Sequence, residues 1–220
     1  MKSKFYLVGS TAHSLINFRY DLLKSLKKKY EVVALSQDFD PIVKKKLKSI
    51  NVKYESYGSS KVNFFHEFFS FINLARLFYS KNIKIISFTL RANVFVGLAN
   101  IIFKKKISHF PMITGLGGIF LSKNENDYRY FLYKVFKIIL KISLKNSVKI
   151  IFQNKSDQKF FLREIIKKKS AVIPGSGVNT NYYKYSKPPK TICFLMISRI
   201  IKNKGIINYF KLSKILSKKY

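Results

Sequence analysis

Short apolar runs alternate with longer segments of helical periodicity from Phe5 to Phe152. An uninterrupted apolar run of this length is typical of a strand buried on both faces, and an amphipathic segment after each one is typical of a helix. The predicted strands are Phe5–Val8, Glu31–Ser36, Val52–Tyr57, Ile83–Phe88, Ile107–Thr114 and Val148–Phe152. Such alternation predicts a Rossmann-like, doubly wound α/β fold with a parallel sheet.

Helices are predicted between these strands, and some of them have capping signals. Asp40-Pro41 combines an acidic N-cap with proline at the first helical position, and Asn154 with Asp157 is a variant of the capping box. The aromatic segment Asn63–Tyr79 predicts a largely buried helix. The other predicted helices are Leu15–Lys29, Asn93–Phe103 and Tyr128–Lys145.

The carboxy-terminal part of the chain predicts an incomplete second domain. Two Pro- and Gly-containing segments, residues 174–177 and 187–190, flank a polar stretch without periodicity, which indicates an interdomain connection. We therefore divide the chain into a domain at residues 1–178, a linker at 179–190, and a strand and helix at 191–220. The predicted strand Thr191–Ile197 contains Cys193, which we interpret as a small apolar core residue in a reducing compartment.

Arg199 and Lys204 flank the turn between that predicted strand and the helix after it, and Gly205 follows directly. A helix amino terminus offers free N–H groups and partial positive charge, and glycine allows close approach of the backbone. This arrangement suits a diphosphate. Solvated surface cations are the alternative interpretation of the same pattern.

Four segments in this order and spacing resemble the retaining glycosyltransferases of family 4, which have the GT-B fold, and most closely the branch that builds bacterial surface polysaccharides, including lipopolysaccharide. The segments are Ile113–Gly117, Ile151–Asp157, Val172–Asn179 and Ile197–Gly205. The resemblance implies the amino-terminal, acceptor-side domain of such an enzyme and the beginning of its donor-side domain. The paired glutamates by which family members hold the donor's ribose and sugar have no counterpart here.

The resemblance implies a hexosyl transfer from a nucleotide-diphosphate donor, often UDP-linked, to a lipid-linked glycan at the inner face of the cytoplasmic membrane. It implies no cofactor and no metal. Arg199 and Lys204 would stabilise the leaving diphosphate, with Gly9 and Ser10 close to it. Because the glutamates are missing, we expect little or no sugar transfer from residues 1–220 alone. The alternative is a non-catalytic subunit that binds lipid-linked glycan or acidic membrane and needs a donor-domain partner.

Acceptor-side candidates lie in turns that follow predicted strands. The resemblance assigns the loop Gly115, Leu116, Gly117 and Gly118 to the acceptor side, although glycines there and at Gly9 also permit tight turns. Asn17 and Arg19 lie near the start of the first helix, where an arginine could grip an acceptor phosphate with both nitrogens. A solvated helix face is the alternative for both residues.

The three histidines give no firm catalytic residue. His13 follows the first strand and is a weak catalytic candidate, His66 lies among aromatic residues and is interpreted as packed, and His109 could face the core or the cleft. The catalytic residue stays unassigned.

The helix Tyr128–Lys145 carries its lysines on one narrow stripe beside many apolar residues. The lysines are Lys134, Lys137, Lys141 and Lys145. A basic amphipathic helix suits the surface of an anionic membrane. Alternatively, the apolar residues are buried and the lysines are the solvated side of an ordinary helix.

Charge widens the range of partners without selecting one. The net charge of +33 favours polyanions in general, and abundant Lys, Ile, Asn, Phe and Tyr indicate that composition contributes to it. No zinc-knuckle spacing or recognition-motif aromatics favour nucleic acid, so we expect no nucleic-acid partner. No apolar stretch of about eighteen residues free of lysine occurs, and we expect a peripheral rather than a spanning contact with membrane.

Overall fold

The computed structural model describes residues 3–59, 63–79, 83–103, 107–117, 128–201 and 204–219. The chain divides into two compact units, Met1–Val178 and Asn179–Tyr220. Each unit is described by itself.

Seven parallel strands form one sheet in the described part of the first unit, in the order β3-β2-β1-β4-β5-β6-β7. The strands are β1 (Lys4–Val8), β2 (Glu31–Ser36), β3 (Lys53–Ser56), β4 (Ile83–Phe88), β5 (Ile107–Ile113), β6 (Ile150–Phe152) and β7 (Ser170–Val172). The predicted Rossmann-like parallel sheet is therefore confirmed. Strand β7 was not predicted, because its three residues are too few to show a period.

Helices cover both faces of this sheet. They are α1 (Ala12–Phe18), α2 (Tyr20–Lys29), α3 (Pro41–Lys48), α4 (Phe64–Phe78), α5 (Leu90–Ile102), α6 (Tyr128–Leu144) and α7 (Lys155–Glu164). In β1, Leu7 packs into a cluster with α1 to α3, whereas Tyr6 and Val8 pack with α4 and α5. Neighbouring strand residues point to opposite faces, so these clusters are two separate core layers. A third cluster joins α5, α6 and α7 to β6.

The cap predictions agree with the local geometry. The Asp40 carboxylate accepts a hydrogen bond from Val43 N at 2.9 Å at the start of α3. Asn154 Oδ1 accepts one from Asp157 N at 2.7 Å at the start of α7. Each side chain satisfies an N–H group that the first helical turn leaves without an intrahelical partner.

Two helix predictions need correction. The single helix predicted from Leu15 is divided at Arg19, whose φ of −131° and ψ of 4° end α1 and begin α2. Helix α4 is not largely buried, because its amino-terminal phenylalanines face solvent. They are Phe64, Phe65, Phe68 and Phe69. Aromatic density indicates a helix but does not show which side of it the sheet covers.

The second unit contains the helix α8 (Ile206–Lys219) and lacks the predicted strand Thr191–Ile197, so that prediction is wrong. Ile192 is 89% exposed, Ile197 is 87% exposed, and Cys193 is exposed rather than buried. A strand needs a neighbour to satisfy its backbone, and no other described segment of this unit is a strand. Among all described helices, none is both long and apolar enough to cross a bilayer.

Candidate functional site

The order of strands reverses between β1 and β4, and the crevice at their carboxyl ends is where open α/β sheets bind ligands. The turns after these two strands meet there, with Ser10 Oγ 2.5 Å from Thr89 Oγ1. Thr89 has a φ of 76°, a conformation that β-branched residues rarely adopt and that costs about 1–3 kcal/mol. Strain of this kind is concentrated at functional sites.

Arg19 lies at this edge of the sheet and is only 4% exposed. Its guanidinium carbon lies 4.9 Å from the centre of the Phe88 ring, and Nη1 donates hydrogen bonds to Ser176 Oγ at 2.6 Å and Phe18 O at 3.0 Å. Its Nε has no partner, and no carboxylate in the described residues forms an ion pair with it. Burial lowers the pKa of Arg19, yet an arginine stays charged at neutral pH. The solvated helix face considered for Arg19 is therefore wrong.

Ser176, after β7, contacts Arg19 directly, and Gln153, after β6, is linked to Arg19 through Ser176. Ser176 Oγ accepts hydrogen bonds from both Arg19 and Gln153 Nε2, the latter at 3.3 Å. Gly175 N donates to Gln153 O at 3.4 Å, which holds the two turns together. Gln153 and Ser176 lie in two of the four resembling segments, but the sequence pattern predicts no role for either. Their proximity to each other depends on the pairing of β6 with β7, which is not predicted.

Gly9 is a packing residue in this structure. A Cβ atom there would lie 2.5 Å from Phe88 Cζ, and Gly9 O accepts a hydrogen bond from Tyr57 Oη at 2.8 Å. The Asp38 carboxylate accepts from Ala12 N at 2.6 Å and so occupies the amino end of α1. An anion at that end would be repelled by Asp38. The donor-diphosphate role that the resemblance implies for Gly9 and Ser10 stays a prediction.

The loop after β5 is described as far as Gly117, and Gly118 lies outside the described residues. Leu116 packs against the third core cluster, and Gly117 has a φ of 73°, in the left-handed region that favours glycine. Leu90 Cδ1 lies 3.4 Å from where a Cβ of Gly117 would be. The loop thus borders the start of α5. The other acceptor-side candidate, Asn17, is exposed on α1.

The histidines have three different environments. His13 lies in α1, with Nε2 3.0 Å from Asp40 Oδ2, and the hydrogen bond from Val43 N–H and then His13 lower the pKa of that carboxyl. His66 is half-buried on α4 and lines an open cavity, so the interpretation as a packed residue is only partly right. His109 is fully buried, 2.7 Å from Ser87 Oγ, and faces the core.

Helix α6 exposes most of its apolar residues, which contradicts the interpretation that they are buried. Only Leu140 and Leu144 among its described aliphatic residues are fully buried. The exposed ones, which we call the apolar stripe, are Phe131, Leu132, Val135, Ile138, Ile139 and Ile142. At 100° per residue they form one continuous band, and the lysines lie along one side of it.

The four lysines of α6 differ in their contacts. Lys137 pairs with Glu164 at 3.1 Å, and the ammonium of Lys134 lies 4.6 Å from the centre of the Tyr130 ring. Lys141 and Lys145 are exposed. The margin beside the apolar stripe is therefore positive at Lys134, Lys141 and Lys145, whereas the charge of Lys137 is paired.

In the second unit, Arg199 and Lys204 are both exposed in the turn that leads to α8. Lys204 N donates to Ile201 O at 3.0 Å, and Gly205 follows with a φ of 77°. Lys202 lies outside the described residues. The turn leaves both cations open to solvent, and their role toward a diphosphate stays a prediction.

Comparison with solved structures identifies the fold. The chain is similar to sucrose-phosphate synthase from Thermosynechococcus elongatus (12% identity, TM-score 0.53), covering 79% of this chain and 48% of that one. It is also similar to a glycosyltransferase from Rickettsia africae ESF-5 (17% identity, TM-score 0.54, 83% and 45% covered). A third similar structure is HepE from Anabaena in complex with UDP (13% identity, TM-score 0.54, 84% and 47% covered).

These neighbours are glycosyltransferases of the GT-B fold, so the first unit has a GT-B, Rossmann-like fold. The chain spans about half the length of each of the three. No protein-family model and no curated protein matches the chain by sequence.

Proposed function

We propose that the chain is the acceptor-side part of a retaining glycosyltransferase of family 4, which transfers a hexosyl group from a UDP-linked donor to a lipid-linked glycan of bacterial surface polysaccharide synthesis. The GT-B fold and the UDP bound to one neighbour support this reaction class. Because the chain spans about half of its neighbours, transfer itself is proposed for a protein that includes a donor-side domain.

The observation that carries the proposal is the buried, unpaired charge of Arg19 at the carboxyl edge of the sheet. A buried cation without an anion is costly, and an anionic ligand would remove that cost. Arginine suits phosphate because its planar group offers several fixed N–H donors. Arg19 would therefore bind the phosphate of a lipid-linked acceptor.

Binding of farnesyl phosphate, a short polyprenyl phosphate, tests this role. We expect Arg19→Met to weaken binding about tenfold or more in isothermal titration calorimetry, because a hydrogen bond to a charged group contributes about 1.5–3 kcal/mol. Arg19→Lys keeps the positive charge but not the planar set of N–H donors, and it should lose less affinity for farnesyl phosphate than Arg19→Met. The control is Arg76→Met, which removes an exposed arginine on α4. Equal affinity of the Arg19→Met variant and the unchanged chain would refute the proposal.

The proposed acceptor lies in a membrane, and α6 supports a peripheral contact with its anionic inner face. The apolar stripe offers side chains to the interface, and the lysines beside it complement anionic headgroups. These features also fit the second candidate function, a non-catalytic subunit that binds acidic membrane or lipid-linked glycan for a donor-domain partner.

Flotation with vesicles separates this contact from general basicity. We expect binding to vesicles that contain phosphatidylglycerol and little binding to pure phosphatidylcholine. Lys141→Gln should weaken it about fivefold, since a lysine near such a surface contributes about 1 kcal/mol, and Ile138→Asp should weaken it more. Ile42→Asp, at an exposed isoleucine on the other face of the sheet, is the control. Equal losses for Ile42→Asp and Ile138→Asp would exclude α6 as the contact.

On the donor side, Arg199 and Lys204 would stabilise the charge that develops on the leaving diphosphate. Their exposure in one turn next to Gly205 supports this role, because a ligand can reach both. In an assembly with a donor-side domain, Arg199→Met should lower kcat more than it raises KM for the UDP-sugar.

A further inference from the structure

The open cavity lined by His66 has a volume of about 300 Å³ and lies at the same edge of the sheet, between the turn after β3 and helix α4. His66, Phe69, Ser70 and Asn73 form its helical wall, at the i, i+3, i+4 and i+7 positions of one face. Its volume is at the lower end of the range for small-molecule sites.

Among the described residues that line this cavity, none is Asp, Glu, Lys or Arg. The eight described lining residues are all Ser, Tyr, Gly, His, Phe or Asn, in a chain of which 24% is Asp, Glu, Lys or Arg. These eight residues offer neither a phosphate nor an acidic group a countercharge. The hydroxyl, amide and imidazole groups also make it a poor seat for a lipid tail, because burying them without partners is costly.

Phe69 supplies the lining with an exposed aromatic ring, whereas Tyr57 is buried. Phe69 is 59% exposed, and Asn73 and His66 lie on the same helical face. A neutral sugar has a C–H face that packs on an aromatic ring and a rim of hydroxyls that needs donors and acceptors. The cavity offers both kinds of surface side by side.

Hydrogen bonds connect the floor of the cavity to the crevice. Tyr57 donates to Gly9 O, and Ser70 Oγ accepts from the buried Gln37 at 3.3 Å. Gln37 in turn accepts from Arg91 at 2.9 Å, next to the start of α5. A Cβ at Gly58 would clash with Ser70 Oγ and Cβ, so glycine lets this turn close against the helix. The cavity is therefore built into the first unit, and hydrogen bonds join it to Gly9 in the crevice and to Arg91 on α5.

We propose that this cavity is a subsite for a neutral sugar unit of the acceptor, bound by stacking on Phe69 and by hydrogen bonds to Asn73 and His66. This inference rests on the proposed function. It adds that the acceptor carries an uncharged sugar as well as the phosphate held by Arg19.

Saturation-transfer NMR on the full chain tests the subsite with galactose, N-acetylglucosamine and lactose as neutral probes and glucuronic acid as an acidic one. We expect transfer to at least one neutral probe at millimolar concentration. Phe69→Ala and Asn73→Ala should each weaken the binding of that sugar about tenfold. Both residues are exposed, so these variants should fold normally. The matched control is Phe68→Ala, an equally exposed neighbour outside the cavity.

The subsite is refuted if no neutral probe receives transfer, if glucuronic acid binds better than all of them, or if Phe68→Ala lowers binding as much as Phe69→Ala. These outcomes are independent of farnesyl phosphate binding. If the affinity for farnesyl phosphate still depends on Arg19 while no neutral sugar binds, the subsite proposal is refuted. The proposed acceptor role of Arg19 is then unaffected. Loss of both removes the proposed function as well.

Discussion

Two buried side-chain nitrogens, Arg19 Nε and His109 Nδ1, lack a hydrogen-bond partner in the described part of the chain. His109 lies in mid-sheet, whereas Arg19 lies at the carboxyl edge. The imidazole can give up its charge, and burial lowers the pKa of His109 to about 3. The guanidinium cannot do so at neutral pH.

The hydrogen bonds around His109 agree with a neutral ring. Ser87 Oγ donates to Asn93 Oδ1 at 2.6 Å, so it accepts from His109 Nε2 and leaves Nδ1 as the bare nitrogen. A buried neutral nitrogen is an ordinary structural compromise. A buried charge without an anion is not. The comparison therefore supports the proposed ligand role of Arg19, whereas His109 is a core residue.

The largest expected effect is acid destabilisation through His109. Between its unfolded pKa near 6.5 and its folded pKa of about 3, the unfolded chain binds a proton that the folded chain excludes. The contribution of His109 to stability is thus present above pH 6.5 and is lost as the pH falls through this window, by about 5 kcal/mol in total. Urea unfolding at successive pH values measures this loss.

His109→Gln provides the control, since its amide stays neutral and can still reach toward Ser87. Above pH 5, where most carboxylates remain ionised, the variant should lose less stability per pH unit than the unchanged chain. If both proteins lose the same stability per pH unit, His109 is not the titrating group. The contrast between a neutral buried His109 and a charged buried Arg19 would then not hold.

The sequence predicts the positions of the strands in this molecule better than the burial of individual side chains. Glu31–Ser36 and Ile83–Phe88 have their predicted bounds, because apolar runs between turns are a local signal. Burial depends on tertiary neighbours instead. The sequence leaves both an acceptor-binding role and a solvated helix face open for Arg19, which is buried, and it predicts a core position for Cys193, which is exposed. The apolar run at Thr191 does not itself show whether another strand is present to pair with it.

The next effect in size is a gain in stability of the ligand-free chain in Arg19→Met. The substitution removes an unpaired buried charge and keeps an apolar group beside Phe88, so the free energy of unfolding should rise by about 1–2 kcal/mol. Chemical denaturation without phosphate measures it. A loss of more than about 1 kcal/mol would instead make Arg19 a structural residue like His109.

A smaller effect is expected for Ser176→Ala, which removes the hydroxyl that accepts from Arg19 Nη1. The ligand-free chain should lose about 1 kcal/mol, as for a hydrogen bond to a charged group that is partly replaced by water. Affinity for farnesyl phosphate should not fall, because the ligand would take the place of the serine as acceptor. Calorimetry that shows a tenfold loss would mean that Ser176 binds the ligand itself.

The smallest effect is expected at Arg199, the exposed counterpart of Arg19 in the second unit. Its charge is solvated without a ligand, so Arg199→Met should change the free energy of unfolding by less than about 0.5 kcal/mol. Thermal unfolding of this variant and of Arg19→Met under the same conditions compares the changes in stability that the two substitutions cause. A rise for Arg19→Met with no change for Arg199→Met fits a preformed anion site in the first unit and an open turn in the second. Equal changes would mean that burial does not distinguish the two cations, and the assignment of Arg19 as a ligand group would lose its physical basis.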